Sequence, residues 1–416
     1  MLIAAALAAL LWANSAWSEK YFDLLHAHLV LDLGFYRVDE SVHFWVNDGL
    51  MVTFFFLVGL EIKRELVLGE LNSVRRAIVP AAAALGGMLI PVGIFLAIAP
   101  GGAASDGWGV PMATDIAFAL GIGALAGPRV PVGLKVLLLA LAIFDDLGAI
   151  AVIALFYSEG VDVRPLVLGL GVFATVYVLG RLGVRELALY VALGVVAWAA
   201  FVKSGIHPTL VGVALGMLTP ARSRWDAEST IVESREVLDS LEDEVREGHN
   251  SVAAAGHRAE TELRLRELGD RVVSPLDRLE HSLNPWVAFL IVPLFALANA
   301  GVDLRGDTLQ TAIEGRLTWA IALGLLLGKP LGVIAGTWLI VRAGAQLPEG
   351  VRWTGILAIG TVAGIGFTVA LFVAELGYSD ATLLTEAKVG IFAGSILAGL
   401  FGYLLLRRVG SVGTSR

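Results

Sequence analysis

The chain has 416 residues, 57% of them hydrophobic, with a mean hydropathy of +0.77 and a formal net charge of −8. Soluble domains are roughly half apolar and need a polar surface, which this composition cannot supply, so a soluble globular protein is excluded. The lack of cysteine likewise excludes disulfides and thiolate metal sites.

Apolar stretches near 20 residues recur along the chain, the length that about 30 Å of hydrocarbon requires of a helix. Helices are predicted over 1–17, 45–66, 78–98, 109–126, 134–157, 165–183, 187–204, 207–219, 284–302, 317–341, 354–376 and 384–406. The 48 glycines suit such an assembly, because small residues let membrane helices approach closely. The first run, Met1 to Trp17, lacks the positive start of a secretory signal and is read as a retained helix. Between helices one and two, His28–Asp32 and Phe35–Val38 flank Gly34 and predict a β-hairpin over 28–38 on the periplasmic surface. Sorted by the loops that twelve spans imply, the 30 Lys and Arg divide into 22 on the side of the termini, 7 on the other and Lys329 within a span. By the positive-inside rule both termini are cytoplasmic.

The segment 221–281 differs from the rest. It holds 15 Asp and Glu against 9 Arg, a net of −6 out of the chain's −8. Ile231, Leu238, Leu241 and Val245 fall at heptad-like spacing, as do Leu265, Leu268 and Val272, while Gly248, Gly256, Gly269 and Pro275 interrupt the pattern. The expectation is a cytosolic, helical, acidic insert between helices 8 and 9, set within a single transmembrane domain over 1–416. It serves either as a solvated linker or as a partner-binding arm.

A charge near the bilayer centre costs several kcal/mol, so such a residue is a functional candidate by default. Four stand out: Asp115 in Pro111–Leu120, Asp145 and Asp146 in Leu141–Ile150, and Lys329 in Leu325–Gly332. Three acids against one lysine leave at least two without a basic partner, so structural ion pairing alone does not account for them. Neighbours on a helix point about 100° apart, so Asp145 and Asp146 have separate tasks. One can pair with Lys329 while the other faces a water-filled funnel with Asp115. Two carboxylates with the Thr114 hydroxyl and backbone carbonyls make a hard oxygen site suited to Na⁺ or Li⁺. A site that holds either a proton or a metal cation, but not both, gives exchange when its access alternates. Pro111 before Thr114–Asp115, and Gly364 and Gly366 before Thr368, are helix-interrupting features in the fourth and eleventh spans. Spans three to five and ten to twelve would then be repeats of opposite orientation.

These motifs resemble the NhaA-type sodium/proton antiporters. The resemblance runs from Ala13–Ala16 to Gly402–Tyr403 and includes Trp45–Met51, Gly59–Leu66, Ala113–Gly121, Asp145–Ile150, Lys203–Leu210, Pro293–Gly301, Gly328–Gly332 and Gly364–Thr368. That family is itself a standard example of paired interrupted helices, so the resemblance and the interruptions are not independent indications. It implies an all-α integral membrane protein of about 12 transmembrane helices with inverted-topology repeats and interrupted helices 4 and 11. It implies a transporter rather than an enzyme, with no cofactor. Cytoplasmic Na⁺ (or Li⁺) would be exchanged for external H⁺, electrogenically and with activation at alkaline pH, in a bacterial inner membrane. Asp146 would bind the cation with Asp115 and Thr114, and Asp145 would pair with Lys329. A pH-responsive cluster would comprise Glu61, Arg64, Glu65, Glu280 and His281, and His207 aligns with a histidine tied to pH response. Pairing through the 28–38 hairpin would give a homodimer in the lipid bilayer; nucleic acid is not an expected partner.

Four departures from the resemblance stand out. The amino terminus is shorter than expected, Ala370 and Asn284 stand where serine and histidine are expected, and the 221–281 insert is longer than usual. Three other readings stay open. An intramembrane aspartyl protease would need a Tyr-Asp or Gly-x-Gly-Asp setting, which neither acidic motif has. A passive channel would need a filter or an oligomeric pore loop. A symporter of an organic solute would need mid-membrane arginines or aromatics to receive it.

Overall fold

In the computed structural model, residues 1–32, 37–128, 130–158, 160–184, 186–221, 232–239 and 273–412 are described, together with residues 261 and 264. Most of the 221–281 segment therefore lies outside the described residues; within it, 232–239 is helical.

Helix α1 (Leu2–Ala13) turns by 112° into α2 (Ser18–His26), a short helix absent from the sequence prediction. The first span expected over 1–17 thus ends four residues early. The break is held by Asn14, whose amide donates to Leu10 O and Val302 O while its Oδ1 accepts from Leu304 N. Strand β1 (His28–Asp32) pairs antiparallel with β2 (Arg37–Ser41), aligning Val30 with Asp39. The second strand runs three residues past the 35–38 expected, because inter-strand pairing rather than local apolarity sets its end, and residues 33–36 of the predicted hairpin lie outside the described residues.

A π-helical turn, Trp45–Leu50, leads into α3 (Met51–Val67). Then come α4 (Val74–Ile98) and two single-turn 3-10 helices, Gly102–Ser105 and Val110–Met112, before α5 (Ile116–Leu125). The fourth span, predicted as one helix over 109–126, is therefore irregular up to Asp115. Pro111 and the three extended residues after it, 113–115, interrupt the ladder, and the two parts meet at 43°. Helices α6 (Val132–Phe156), α7 (Val163–Leu182), α8 (Leu187–Ser204) and α9 (Thr209–Leu218) follow. Gly183 and Gly205, with φ of +84° and +76°, end α7 and α8 in the left-handed conformation that glycine adopts without strain.

Helix α10 (Pro275–Asn299) starts on a Ser274 cap inside the 221–281 segment, nine residues before the predicted 284, because Pro275, read from the sequence as an interruption, is its first residue; it contains a π-helical turn at Val287–Ile291. Helix α11 (Arg316–Arg342) contains another at Gly324–Gly328. The span predicted over 354–376 is broken into α12 (Trp353–Ala363) and α13 (Phe367–Gly377), bent by 51° at Gly364–Gly366. Helix α14 (Ala381–Val412) closes the order.

By length and apolarity seven of these helices can cross a membrane, or ten if each bent pair is one span. Lipid tails supply no hydrophobic drive for helices to associate, so close van der Waals packing must. The glycines make it possible. A Cβ on Gly86 of α4 would stand 2.1 Å from Gly332 O of α11, and one on Gly336 would stand 2.0 Å from Ala82 O. Gly59, Gly212 and Gly216 bring α3 and α9 equally close. Ala6 and Ala9 meet Ala296 and Ala300 between α1 and α10. The interior is thickest around α6, α11 and the two broken spans, and the polar residues discussed below lie there.

Candidate functional site

The two breaks lie against each other. Asp115 N donates to Ile365 O at 2.6 Å, and Thr114 Oγ1 lies 2.8 Å from Ala363 O, so each interruption satisfies backbone groups of the other. Unpaired polar backbone is tolerated at membrane depth only where protein partners replace the helix ladder. Asp115 caps α5, accepting from Phe118 N at 3.1 Å, and its Oδ2 accepts from Thr368 N at 3.0 Å and from the Thr368 hydroxyl. It thus lies at the N-terminal ends of both α5 and α13, where the aligned peptide dipoles favour a negative charge. Ser395 of α14 completes the junction, its Oγ accepting from Gly366 N and Phe367 N at 3.2 and 3.3 Å.

The two adjacent carboxylates of α6 part company. Asp145 Oδ2 receives Lys329 Nζ at 2.8 Å and lies 2.7 Å from Thr114 Oγ1. Asp145 is 1% exposed and Lys329 0%, making this an ion pair wholly inside the protein. Lys329 is delivered by the π-helical turn before it, a local widening common at functional positions. Asp146 is 5% exposed and, among the described residues, has no hydrogen bond or ion pair. The charges that act on it are Glu61, Asp145 and Asp115, with Lys329 of opposite sign. Three acidic groups and one ammonium therefore surround a carboxyl group whose oxygens have no hydrogen-bond partner among the described residues.

Thr114 therefore lies on Asp145, and most of the Asp115 lone pairs are committed to the helix ends. For these two to join Asp146 around one cation, as expected from the sequence, those hydrogen bonds must be exchanged.

A second group gathers at the far end of α3. Arg64 forms an ion pair with Glu280 Oε1 and lies 4.0 Å from Glu65 Oε1, and Glu61 interacts electrostatically with Glu280, Arg64 and Glu65. His281 and Asn284 line a cleft with Arg64, Asp277 and Glu280. His207 is not there. Its Nδ1 is 3.8 Å from Asp48 Oδ1, and its ring packs on Phe372. Asp48 precedes α3 and Glu61 lies near its end, thirteen residues or about 20 Å along a helix. Thr368 appears in the sequence reading only as part of a motif, and Asp48, Ser395, Glu375 and Lys388 carry no role there. Ser395 gives no signal of its own, because its hydroxyl acts on a backbone 28 and 29 residues away. Glu375 and Lys388 fall at the ends of predicted spans, where the sequence gives no sign of burial, and the packing of α13 on α14 brings them together.

Comparison with known proteins gives the family of the chain. Residues 1–406 match the family described as Na⁺/H⁺ antiporter 1. The chain is 48% identical over 412 residues to "Na(+)/H(+) antiporter NhaA 2" of Sorangium cellulosum, covering 98% of this chain and 87% of that protein. It is 47% identical over 408 residues to "Na(+)/H(+) antiporter NhaA" of Oleidesulfovibrio alaskensis, covering 98% and 90%. With the protein of the same name from Koribacter versatilis it shares 42% over 419 residues, covering 100% and 90%. With its broken spans crossing at a buried acid–lysine pair, this multi-pass membrane protein belongs to the Na⁺/H⁺ antiporter 1 family.

Proposed function

We propose that the sodium/proton exchange of this family runs, in this chain, through Asp146 as the group that holds either the proton or the cation. The observation that carries this is the contrast on α6. Asp145 is neutralised by Lys329, whereas Asp146 is buried and, among the described residues, has no hydrogen-bond or ion-pair partner. A carboxylate so placed takes a proton or an oxygen-seeking cation such as Na⁺ or Li⁺, and the two exclude each other. Asp115 and Thr114 enter as further ligands when the cation arrives, giving up bonds to Thr368, Phe118 and Asp145. Because Asp115 ties α5 to α13, that exchange loosens the crossing of the broken spans and turns the site toward the other side. Lys329 keeps the interior from carrying two uncompensated charges while this happens.

The wider architecture follows the same reading. Adding Met51–Val67 and the short Thr209–Leu218 to the ten apolar spans gives twelve, with both termini cytoplasmic and the two broken spans in repeats of opposite orientation. The Arg64–Glu280 end is then the cytoplasmic mouth, where Glu61, Glu65 and His281 bring about activation at alkaline pH in a bacterial inner membrane. His207 belongs to the periplasmic end with β1 and β2, whose strands pair two copies. Exchange is electrogenic, moving more protons in than sodium out. The 221–281 segment is a cytosolic helical insert.

The test is sodium-induced proton movement in proteoliposomes, from about pH 6.5 to 8.5, with wild type beside Asp146→Asn. Sodium should release protons in the wild type only, increasingly at alkaline pH. Lowering the pH should raise the apparent KM for sodium, by up to about tenfold per unit where Asp146 is mostly protonated. Equal behaviour of the two proteins, or sodium current without proton movement, would reject the carboxylate assignment and favour a channel or symporter.

A further inference from the structure

The exchange site leaves a second buried charge cluster unused, at the opposite end of α3 from Glu280. Glu375, near the end of α13, is 12% exposed in its side chain. Its Oε1 lies 2.7 Å from Lys388 Nζ of α14, an ion-pair distance at an angle too poor for a hydrogen bond. Its Oε2 lies 3.7 Å from His43 Nε2, just before the Trp45–Leu50 turn. A histidine between a buried acid–lysine pair and water is the chemistry of a protonation site.

The hydrogen bonds around His43 bear on which nitrogen is free. Asn299 Nδ2 faces Phe295 O at 2.9 Å, and a carbonyl only accepts, so the amide orientation is set. Asn299 Nδ2 also donates to Asn47 Oδ1 at 2.7 Å. Asn299 Oδ1 is then the atom 3.0 Å from His43 Nε2; Asn47 Nδ2 lies 3.3 Å from the same nitrogen and 3.2 Å from Asn299 Oδ1, and when it donates to Asn299 the neutral ring carries its N–H on Nε2. A further proton enters at Nδ1. The His43 side chain is 31% exposed, and the added charge would stand beside Glu375 and compete with Lys388 for it. With a lysine and a histidine already at the carboxylate, the ligand is H⁺ rather than a metal cation.

The cluster is also tied to the exchange site. Thr368 and Glu375 are seven residues apart on α13, two turns or about 10.5 Å, and so lie on one face. Thr368 holds Asp115 at one end of this helix and Glu375 meets Lys388 at the other. Between them Phe372, fully buried, packs against Phe55, Phe295 and His207. Of the other titratable groups nearby, Tyr21 of α2 acts on Glu375 electrostatically while its hydroxyl faces Leu297 O at 2.7 Å. Asp48 turns to His207, and Glu386 of α14 to Gly315.

We propose that His43, Glu375 and Lys388 form a second protonation site, which takes H⁺ from the aqueous side opposite the Glu280 mouth and, by drawing Glu375 from Lys388 toward His43, resets α13. This rests on the reading that α13 and Asp115 take part in exchange. The experiment uses the full chain in proteoliposomes of known orientation, with the pH varied on one side at a time. In wild type the rate should respond to pH on the His43 side. His43→Gln and Glu375→Gln should both abolish that response and keep the response on the Glu280 side, while Lys388→Arg keeps both. If His43→Gln and Glu375→Gln retain the wild-type response on the His43 side, the proposal is overturned.

A readout independent of transport separates the two readings. In ¹⁵N-histidine spectra of the solubilised protein, the His43 signal is identified by its absence from His43→Gln. The pH dependence of its chemical shift should change in Glu375→Gln; an unchanged pH dependence overturns the proposal. A changed pH dependence in a protein that shows no sodium/proton exchange would support the shared proton and overturn the exchange reading alone.

Discussion

Two ion pairs of similar chemistry, Lys329–Asp145 and Arg64–Glu280, sit in opposite surroundings. The first is wholly buried where the broken spans cross, and its carboxylate is braced by Thr114. The second lies at the rim, with the arginine side chain 35% exposed. In the interior, removing one partner strands a charge that nothing can solvate. At the rim, water and salt replace what is lost. The interior pair is therefore suited to keeping the crossing of the broken spans intact. The rim pair can open and close at little cost, which is what a response to pH needs.

The sharpest way to break the comparison is to remove one half of each pair. Lys329→Met should destabilise by about 3–5 kcal/mol, as an uncompensated buried charge does, and the double variant Lys329→Met with Asp145→Leu should recover most of that. Thermal unfolding in detergent reads both, and equal losses in the single and double variants would remove the argument. Packing at the helix crossing comes next. Gly332→Ala in α11 would push a Cβ to 2.1 Å from Gly86 O, with an expected cost of roughly 1–3 kcal/mol. Gly93→Ala in α4 meets nothing within 4 Å and should be neutral or slightly stabilising. The same melting experiment distinguishes them, and similar shifts would mean that helix propensity rather than close approach decides. The smallest effect belongs to the rim. Glu280→Gln should change stability by less than about 1 kcal/mol, an effect that fades in high salt. It should nevertheless move the pH at which exchange turns on, leaving the maximal rate unchanged. A pH profile identical to wild type would make the rim pair a bystander.

The sequence carried the membrane character, the long spans and the four costly charges directly, because a lipid environment penalises each departure from apolarity at that residue. It also carried the two interruptions, since Pro111 and the Gly364–Gly366 pair break the helix ladder locally. Short-range pattern failed where partners are distant. Helix α2 had no apolar signature, and its turn away from α1 depends on Asn14 bonding to Val302 and Leu304. The irregular chain before Asp115 is stabilised by the other broken span rather than by its own residues.

What the sequence alone determined is which residues are too expensive to bury without purpose: Asp115, Asp145, Asp146 and Lys329. What only the tertiary structure decided is how they are shared out. Asp145 rather than Asp146 meets Lys329, Thr114 lies on Asp145, and His207 is parted from Glu280 by the length of α3. Burial cost is a property of one side chain in one medium, so composition reveals it. Pairing depends on angles between helices that are set by glycine contacts hundreds of residues apart, and those exist only once the chain has packed.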